Sequence, residues 1–221
     1  MKVITVFNKE QLQHVRLLVE KIDFQDGEKT AHGLAKEVKK NSEAIPKGEN
    51  YQKVLSYIKE ILVKNNWLKR RFLPKVFSPP LINSYKAGDS YGRHFDSSHI
   101  EGQSSSIRKD YSFTLMLSSI EEYEGGELEI EENGLKHKVR LDAGDMVIYP
   151  STTIHNVMPV SEGERLAYVG WIASHVKDPL ALEALNAYED MHLALQKYEI
   201  SSEDRLALSY VQNKLQHLLS D

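Results

Sequence analysis

The sequence predicts an α+β chain whose β-rich middle, closed into a sandwich or barrel, lies between helical ends. Three observations point there. From Tyr111 to Ile172 the chain reads as successive strand-length runs, Asn133-Gly134 joins two of them as a hairpin, and apolar residues recur at helical spacing before Pro74 and after Lys177.

Asn8 with Gln11 three residues on reads as a capping box, and Leu12, Val15, Val19 and Ile22 then keep one apolar face, so a first helix is expected from about residue 9 to 22. Asp26-Gly27 ends it. From Thr30 to Glu49 the chain is polar, and Lys36, Lys39 and Lys40 read as a solvated helix or loop rather than an anion site. A second amphipathic helix carries Tyr51, Val54, Leu55, Ile58, Ile61 and Leu62. Lys69-Arg70-Arg71 and Lys75 form the one dense basic run, expected at a charged helix end and surface loop. Pro74, Pro79 and Pro80 exclude helix, and Leu81-Ile82-Asn83-Ser84-Tyr85 reads as the first strand of a new region.

The strands expected next are Tyr111 to Leu117, Glu127 to Glu131, Leu135 to Leu141, Asp145 to Tyr149, His155 to Val160 and Leu166 to Ile172. A type I′ turn needs positive φ at both central residues, which Asn133-Gly134 supplies. Gly125-Gly126, Ala143-Gly144-Asp145 and Glu162-Gly163 punctuate the rest. Helices ahead of so many short strands favour a jelly roll with helical flanks over a pure β protein. Beyond Lys177, Asp178-Pro179 caps a helix striped with Leu182, Leu185, Tyr188, Met191, Leu195 and Tyr198, and Ser201 or Ser202 caps a last one carrying Leu208, Val211, Leu215 and Leu218. The organisation expected is a unit over residues 1–178, with N-terminal helices in 1–73 and a jelly-roll core in 74–178, followed by a helical extension over 179–221. That extension packs as an appendage or serves a homodimer contact.

Composition narrows the function. The 221 residues carry 28 basic and 32 acidic side chains, net −4, so no basic field marks a nucleic-acid partner. No apolar run approaches a membrane span or the core of a signal segment, which leads to the expectation of a cytoplasmic protein without a membrane partner. With no cysteine, a transition metal must be held by His, Asp or Glu, a donor set that suits iron or manganese better than structural zinc.

One stretch fits that requirement: Gly92-Arg93-His94-Phe95-Asp96. Residues two apart on a strand share a face, so His94 and Asp96 can reach one ion while Phe95 points away. Alone, a His-x-Asp is common and a hydrogen-bonded pair would need no metal. His99, His137, His155 and His175 are the candidates for a third ligand. His99 lies in a Ser-rich loop and His137 is expected on a solvated strand face, both suited to plain surface roles, whereas His155 opens a strand after Pro150-Ser151-Thr152-Thr153. Two imidazoles and one carboxylate on one face of an ion form the facial arrangement of non-haem Fe(II) oxygenases. Ten residues on, Arg165 can pair a carboxylate bidentately inside the barrel; the plainer alternative is a surface hairpin salt bridge. Trp171 and Tyr149 read as core residues.

These segments carry a specific resemblance. Asn83-Ser84-Tyr85, Gly92-Arg93-His94-Phe95-Asp96, Tyr123-Glu124-Gly125-Gly126-Glu127-Leu128, Ala143-Gly144-Asp145-Met146-Val147-Ile148-Tyr149-Pro150-Ser151, His155-Asn156-Val157-Met158-Pro159-Val160 and Gly163-Glu164-Arg165 resemble the Fe(II)- and 2-oxoglutarate-dependent dioxygenases. More narrowly they are similar to the bacterial PKHD-type hydroxylases, relatives of the prolyl 4-hydroxylases, and Trp171 to Asp178 and the C-terminal helices also match that subgroup. The resemblance implies a double-stranded β-helix, with Fe(II) on His94, Asp96 and His155, and 2-oxoglutarate held by Arg165 and Tyr85. It implies O2 as co-reactant, ascorbate as reductant, and hydroxylation of an unactivated C–H bond of a small-molecule or peptidyl substrate, such as a prolyl or other amino-acid side chain, with release of succinate and CO2. The chain departs from the pattern at Met116, where animal prolyl hydroxylases place a cosubstrate-binding tyrosine, and at Ala167, where many members have serine. That leaves Tyr85 alone for the phenolic bond, and the hydrogen bond a serine would make is either missing or supplied by Ser112 or Thr114. The loop from Ser97 to Ile107 also differs, and His99 is either a bystander there or the first residue to meet the substrate. Two readings compete with the hydroxylase: a non-catalytic jelly-roll binding module, and a cupin-like metalloenzyme that does not use 2-oxoglutarate.

Overall fold

The computed structural model describes residues 1–30, 34–101 and 106–220; parts of the polar 30–49 stretch and of the 97–107 loop lie outside the described residues. Helix Lys9–Val19 begins at the expected capping box, with the Asn8 side chain accepting from the Gln11 N–H and Gln11 answering to the Asn8 N–H. Helices Glu49–Lys64 and Asn66–Phe72 follow, the second capped by Asn65.

A nine-stranded antiparallel sheet has the order Lys2–Thr5, Asp145–Pro150, Tyr111–Met116, Val160–Ser174, Leu81–Lys86, Ser42–Ala44, Phe24–Asp26, with Tyr123–Gly125 and Pro74–Phe77 also pairing on Val160–Ser174. A second sheet orders Leu135–Val139, Leu128–Glu132, His155–Val157, Ser90–His94 and Lys39–Lys40. Thus the N-terminal 73 residues are not purely helical. Residues 2–5 extend one edge of the large sheet, and 24–26 and 42–44 the other, because a sheet edge offers unpaired N–H and C=O groups that any extended neighbour can satisfy.

Alternation along the strands creates two cores. Phe113, Leu115, Ile148, Tyr168 and Ile172 face the helices and pack on Val15, Val54, Ile58, Leu62, Leu68 and Phe72. Met116, Tyr85, Val147, Tyr149 and Ala167 face inward to Leu128, Ile130 and Val157 of the second sheet. Each large side chain buried this way contributes about 1.5–3 kcal/mol. The large sheet is therefore apolar towards the helices, and carries polar groups among apolar ones on the face where the two sheets enclose the barrel.

Asn133 and Gly134 both have positive φ, +53° and +77°, as the hairpin reading requires. Glu162-Gly163 is not a turn. Pairing with Tyr123–Gly125 keeps the chain in the sheet there, and the position needs glycine twice over, for its φ of +74° and because a Cβ would lie 2.0 Å from the Glu122 carbonyl oxygen. The basic run has a use beyond solvation: Arg71 pairs with Asp190 and donates to the Asn186 carbonyl, tying the short helix to Pro179–Leu195. Leu182 and Leu185 bury there, while helix Ser202–Leu219 has no buried residue.

Candidate active site

The site is built where Ser90–His94 and His155–Val157 pair, with His94 directly opposite His155. Their ring centroids are 4.3 Å apart. Asp96 lies in irregular chain just beyond the first strand, so its placement is not fixed by strand pairing. Phe95 between them does point out to solvent, 67 % exposed. One ligand atom from each of His94, Asp96 and His155 lies within 4.8 Å of the others, the only such cluster of three among the described residues.

Local hydrogen bonds aim these donors. His94 Nδ1–H donates to the Gly92 carbonyl at 2.7 Å and His155 Nδ1–H to the Thr153 carbonyl at 2.9 Å, which leaves each Nε2 as the available lone pair. Ser112 donates to Asp96 Oδ2 at 2.5 Å and lies 3.0 Å from Ser151 Oγ. Burial, reinforced by the neighbouring His155, pushes the His94 imidazole down to about 4, so it is neutral and ready to coordinate at pH 7. Tyr91 stacks on the His94 ring at 3.7 Å and 16°, and Tyr149 meets His155 edge-on at 5.1 Å. A nitrogen, nitrogen, carboxylate set without sulfur, turned to one side by carbonyl-bound imidazoles, fits a ferrous ion with open positions.

Arg165 sits across the barrel, in register with Tyr85. It is 2 % exposed, its Nε has no hydrogen-bond partner, and no carboxylate pairs with it among the described residues. The surface salt bridge considered as an alternative is therefore not what is found. A buried guanidinium without a counter-ion is costly unless an anionic ligand completes it. The Tyr85 ring lies 5.4 Å from the guanidinium carbon, and burial raises the phenol's pKa, with Arg165 opposing the shift, so the hydroxyl stays a donor. Gly126, at φ +66°, makes room: a Cβ there would stand 3.0 Å from Arg165 Cδ and 2.9 Å from Val160 Cγ2. Gly126→Ala is accordingly expected to raise the 2-oxoglutarate concentration needed for half-maximal turnover about tenfold and to cost roughly 1–2 kcal/mol in stability. Steady-state titration and thermal melting check the two effects.

The other sequence candidates fall elsewhere. His99 is exposed and bonded to Ser98, and neither His137 nor His175 joins the metal cluster. His137 is half-buried opposite Ile130, so it lies on the inner rather than the solvated face of its edge strand. Met116 and Ala167 are buried partners on adjacent strands. Ser112 is committed to Asp96, and Thr114 is buried on the neighbouring stretch of the same strand. Trp171 and Tyr149 are buried, but they share the inward face with Ser112, in register with both. Lys39 corrects the solvated reading of its segment: it is buried in an ion pair with Glu43, and its ammonium lies 5.4 Å from the Tyr91 ring centroid. A lysine four residues before a glutamate was the available signal, but the same spacing is commonplace on exposed helices.

Comparison with known proteins gives this geometry a family. A PKHD-type hydroxylase from Hyphomonas neptunium is 35 % identical over 217 residues, 98 % of this chain and 97 % of the relative. The chain belongs to the PKHD-type hydroxylases. Another, from Acinetobacter baumannii, is 36 % identical over 198 residues, covering 87 % of this chain and 86 % of its own. The profile of the 2OG-Fe(II) oxygenase superfamily matches residues 80–173. Among solved structures, a prolyl hydroxylase from Trichoplax adhaerens, in complex with a hypoxia inducible factor peptide fragment, shares the fold with a TM-score of 0.55 at 18 % identity, over 77 % of this chain and 82 % of that one. A Pseudomonas putida prolyl-4-hydroxylase gives 0.51 at 19 %, over 78 % and 91 %.

This hydroxylase is thus a 2-oxoglutarate-dependent dioxygenase with the jelly-roll fold expected of it, using Fe(II) as cofactor and 2-oxoglutarate as cosubstrate. The binding-module and cupin-like alternatives are set aside by that membership. No helix among the described residues is long and apolar enough to cross a membrane.

Proposed function

We propose that His94, Asp96 and His155 hold the iron of this hydroxylase, and that Arg165 and Tyr85 bind the distal carboxylate of 2-oxoglutarate. The observation that carries the reading is the pairing, in one barrel, of a converging His, Asp, His cluster with a buried arginine that has no carboxylate of its own. When bound, the iron and the oxo acid supply the oxidising power for C–H hydroxylation with O2, releasing succinate and CO2. The protein's share is positional. Gly92 and Thr153 carbonyls fix the two imidazole tautomers, Ser112 holds one Asp96 oxygen, and the Arg165 fork with the Tyr85 hydroxyl would orient the cosubstrate.

The proposed substrate is a prolyl or other amino-acid side chain, offered as a small molecule or in a peptide, by analogy with relatives whose names and complexes are those of prolyl hydroxylases. Residues 1–178 form the proposed catalytic unit and 179–221 an extension docked through Arg71 and Asp190. Exposed Leu180, Leu206, Tyr210 and Leu218 on that extension support a homodimer. A cytoplasmic setting, with ascorbate as external reductant, matches the need for ferrous iron and a central metabolite together. The deciding experiment offers candidate peptides and amino acids to the protein with Fe(II), 2-oxoglutarate and O2. Substrate-dependent succinate should accompany a product heavier by ~16 Da, one oxygen atom. Succinate formed with no oxygenated product from any prolyl or amino-acid probe would remove this substrate class.

A further inference from the structure

Lys109 has no role in the metal or cosubstrate site, yet it is only partly exposed and lies between that site and the surface. Its ammonium lies 3.9 Å from the centroid of the Trp171 ring and donates to Ser97 Oγ at 3.0 Å, one residue from Asp96. It makes no salt bridge among the described residues. Burial lowers its pKa, and the carboxylate that acts against this is Asp96, whose charge is committed to the ion in the reading above. Trp171 adds a second unsatisfied donor: the residue is 8 % exposed and its Nε1 is buried with no hydrogen-bond partner. Beside Ser97, a depression is lined by Ser97, Ser98, His99, Ser106, Arg108 and Lys177, in which the Arg108 charge is met by Asp110 at 2.6 Å. A half-buried ammonium held on an indole, next to an orphaned N–H and a hydroxyl-rich mouth, is built to receive an oxyanion.

We propose that Lys109 is the substrate-recognition cation of this hydroxylase and takes a carboxylate carried by the molecule to be hydroxylated. The inference rests on the amino-acid substrate reading above. It predicts that acids are preferred over their neutral amides.

The test uses the full chain loaded anaerobically with Fe(II) and 2-oxoglutarate, in a Trp67→Phe background so that Trp171 is the one indole that reports. N-acetyl-L-proline and N-acetyl-L-leucine are titrated against their carboxamides. The acids should change Trp171 fluorescence saturably as the ammonium shifts from the ring, and the amides should not. Lys109→Gln should raise the half-saturating acid concentration about tenfold or more, and Lys109→Arg should largely restore it. Equal responses to acid and amide, no response to either acid, or an undiminished acid response in Lys109→Gln would each overturn the proposal. The visible charge-transfer band of the Fe(II) and 2-oxoglutarate complex is followed in parallel. Its loss in Lys109→Gln alone would assign the lysine to the cosubstrate and also overturn the inference, whereas its absence from the parent protein would mark a failure of the underlying site reading.

Discussion

Replacing His94 by alanine is expected to abolish stoichiometric iron binding and 2-oxoglutarate turnover together while leaving the fold intact. The geometry sets this outcome. His94 occupies the end of a strand, directly opposite His155, and its imidazole is neutral because burial disfavours the charged form. Removing it leaves one imidazole and one carboxylate, and Asp96 alone cannot compensate because Ser112 already holds one of its oxygens. The half-buried ring packs between Tyr91 and His155 at the end of a strand and belongs to neither apolar core, so its truncation leaves both cores filled. Metal analysis, succinate release and circular dichroism measure the three quantities. Iron retained at wild-type level, or turnover that survives, would dismiss His94 as a ligand.

How much of this was legible in the chain depends on the range of the forces involved. The capping box at Asn8, the Asn133-Gly134 turn and the alternation of strand Tyr111–Met116 are local, and local chemistry is written in adjacent residues. The convergence of His94, Asp96 and His155 was legible because a His-x-Asp pair and a distant histidine keep a recognisable order along the chain. What stayed hidden was tertiary. Lys39 reads as one more solvated lysine until the short strand Lys39–Lys40 pairs with Ser90–His94 and carries it indoors to Glu43. His137 looks solvent-facing between two lysines until register places it opposite Ile130. Strand alternation predicts the direction of Asp96, but the strand ends at His94, and the Ser112 hydroxyl holds the carboxylate. Lys109 and Trp171 are 62 residues apart in sequence, and nothing in either neighbourhood announces their contact.

Arg165→Met offers the second large effect, and it has two signs. In the folded protein the guanidinium is 2 % exposed, with Nε unbonded and no carboxylate paired to it among the described residues. Burying a charge without a partner costs several kcal/mol, and an apolar side chain of similar length relieves that cost, so the variant without cosubstrate should melt at or above the wild-type temperature. The 2-oxoglutarate requirement should move the opposite way. Loss of a charge-assisted, bidentate hydrogen bond in a desolvated site is worth about 2–4 kcal/mol, or roughly 30- to 1000-fold in affinity. Thermal shift with and without 2-oxoglutarate separates the two. Wild-type protein should gain melting temperature on adding the oxo acid in the presence of Fe(II), and the variant should gain little at the same concentration. An arginine kept for structure would behave in reverse, with a destabilised apoprotein and an unchanged cosubstrate titration, so the pair of signs, more than either magnitude, decides whether this side chain exists for the fold or for the ligand.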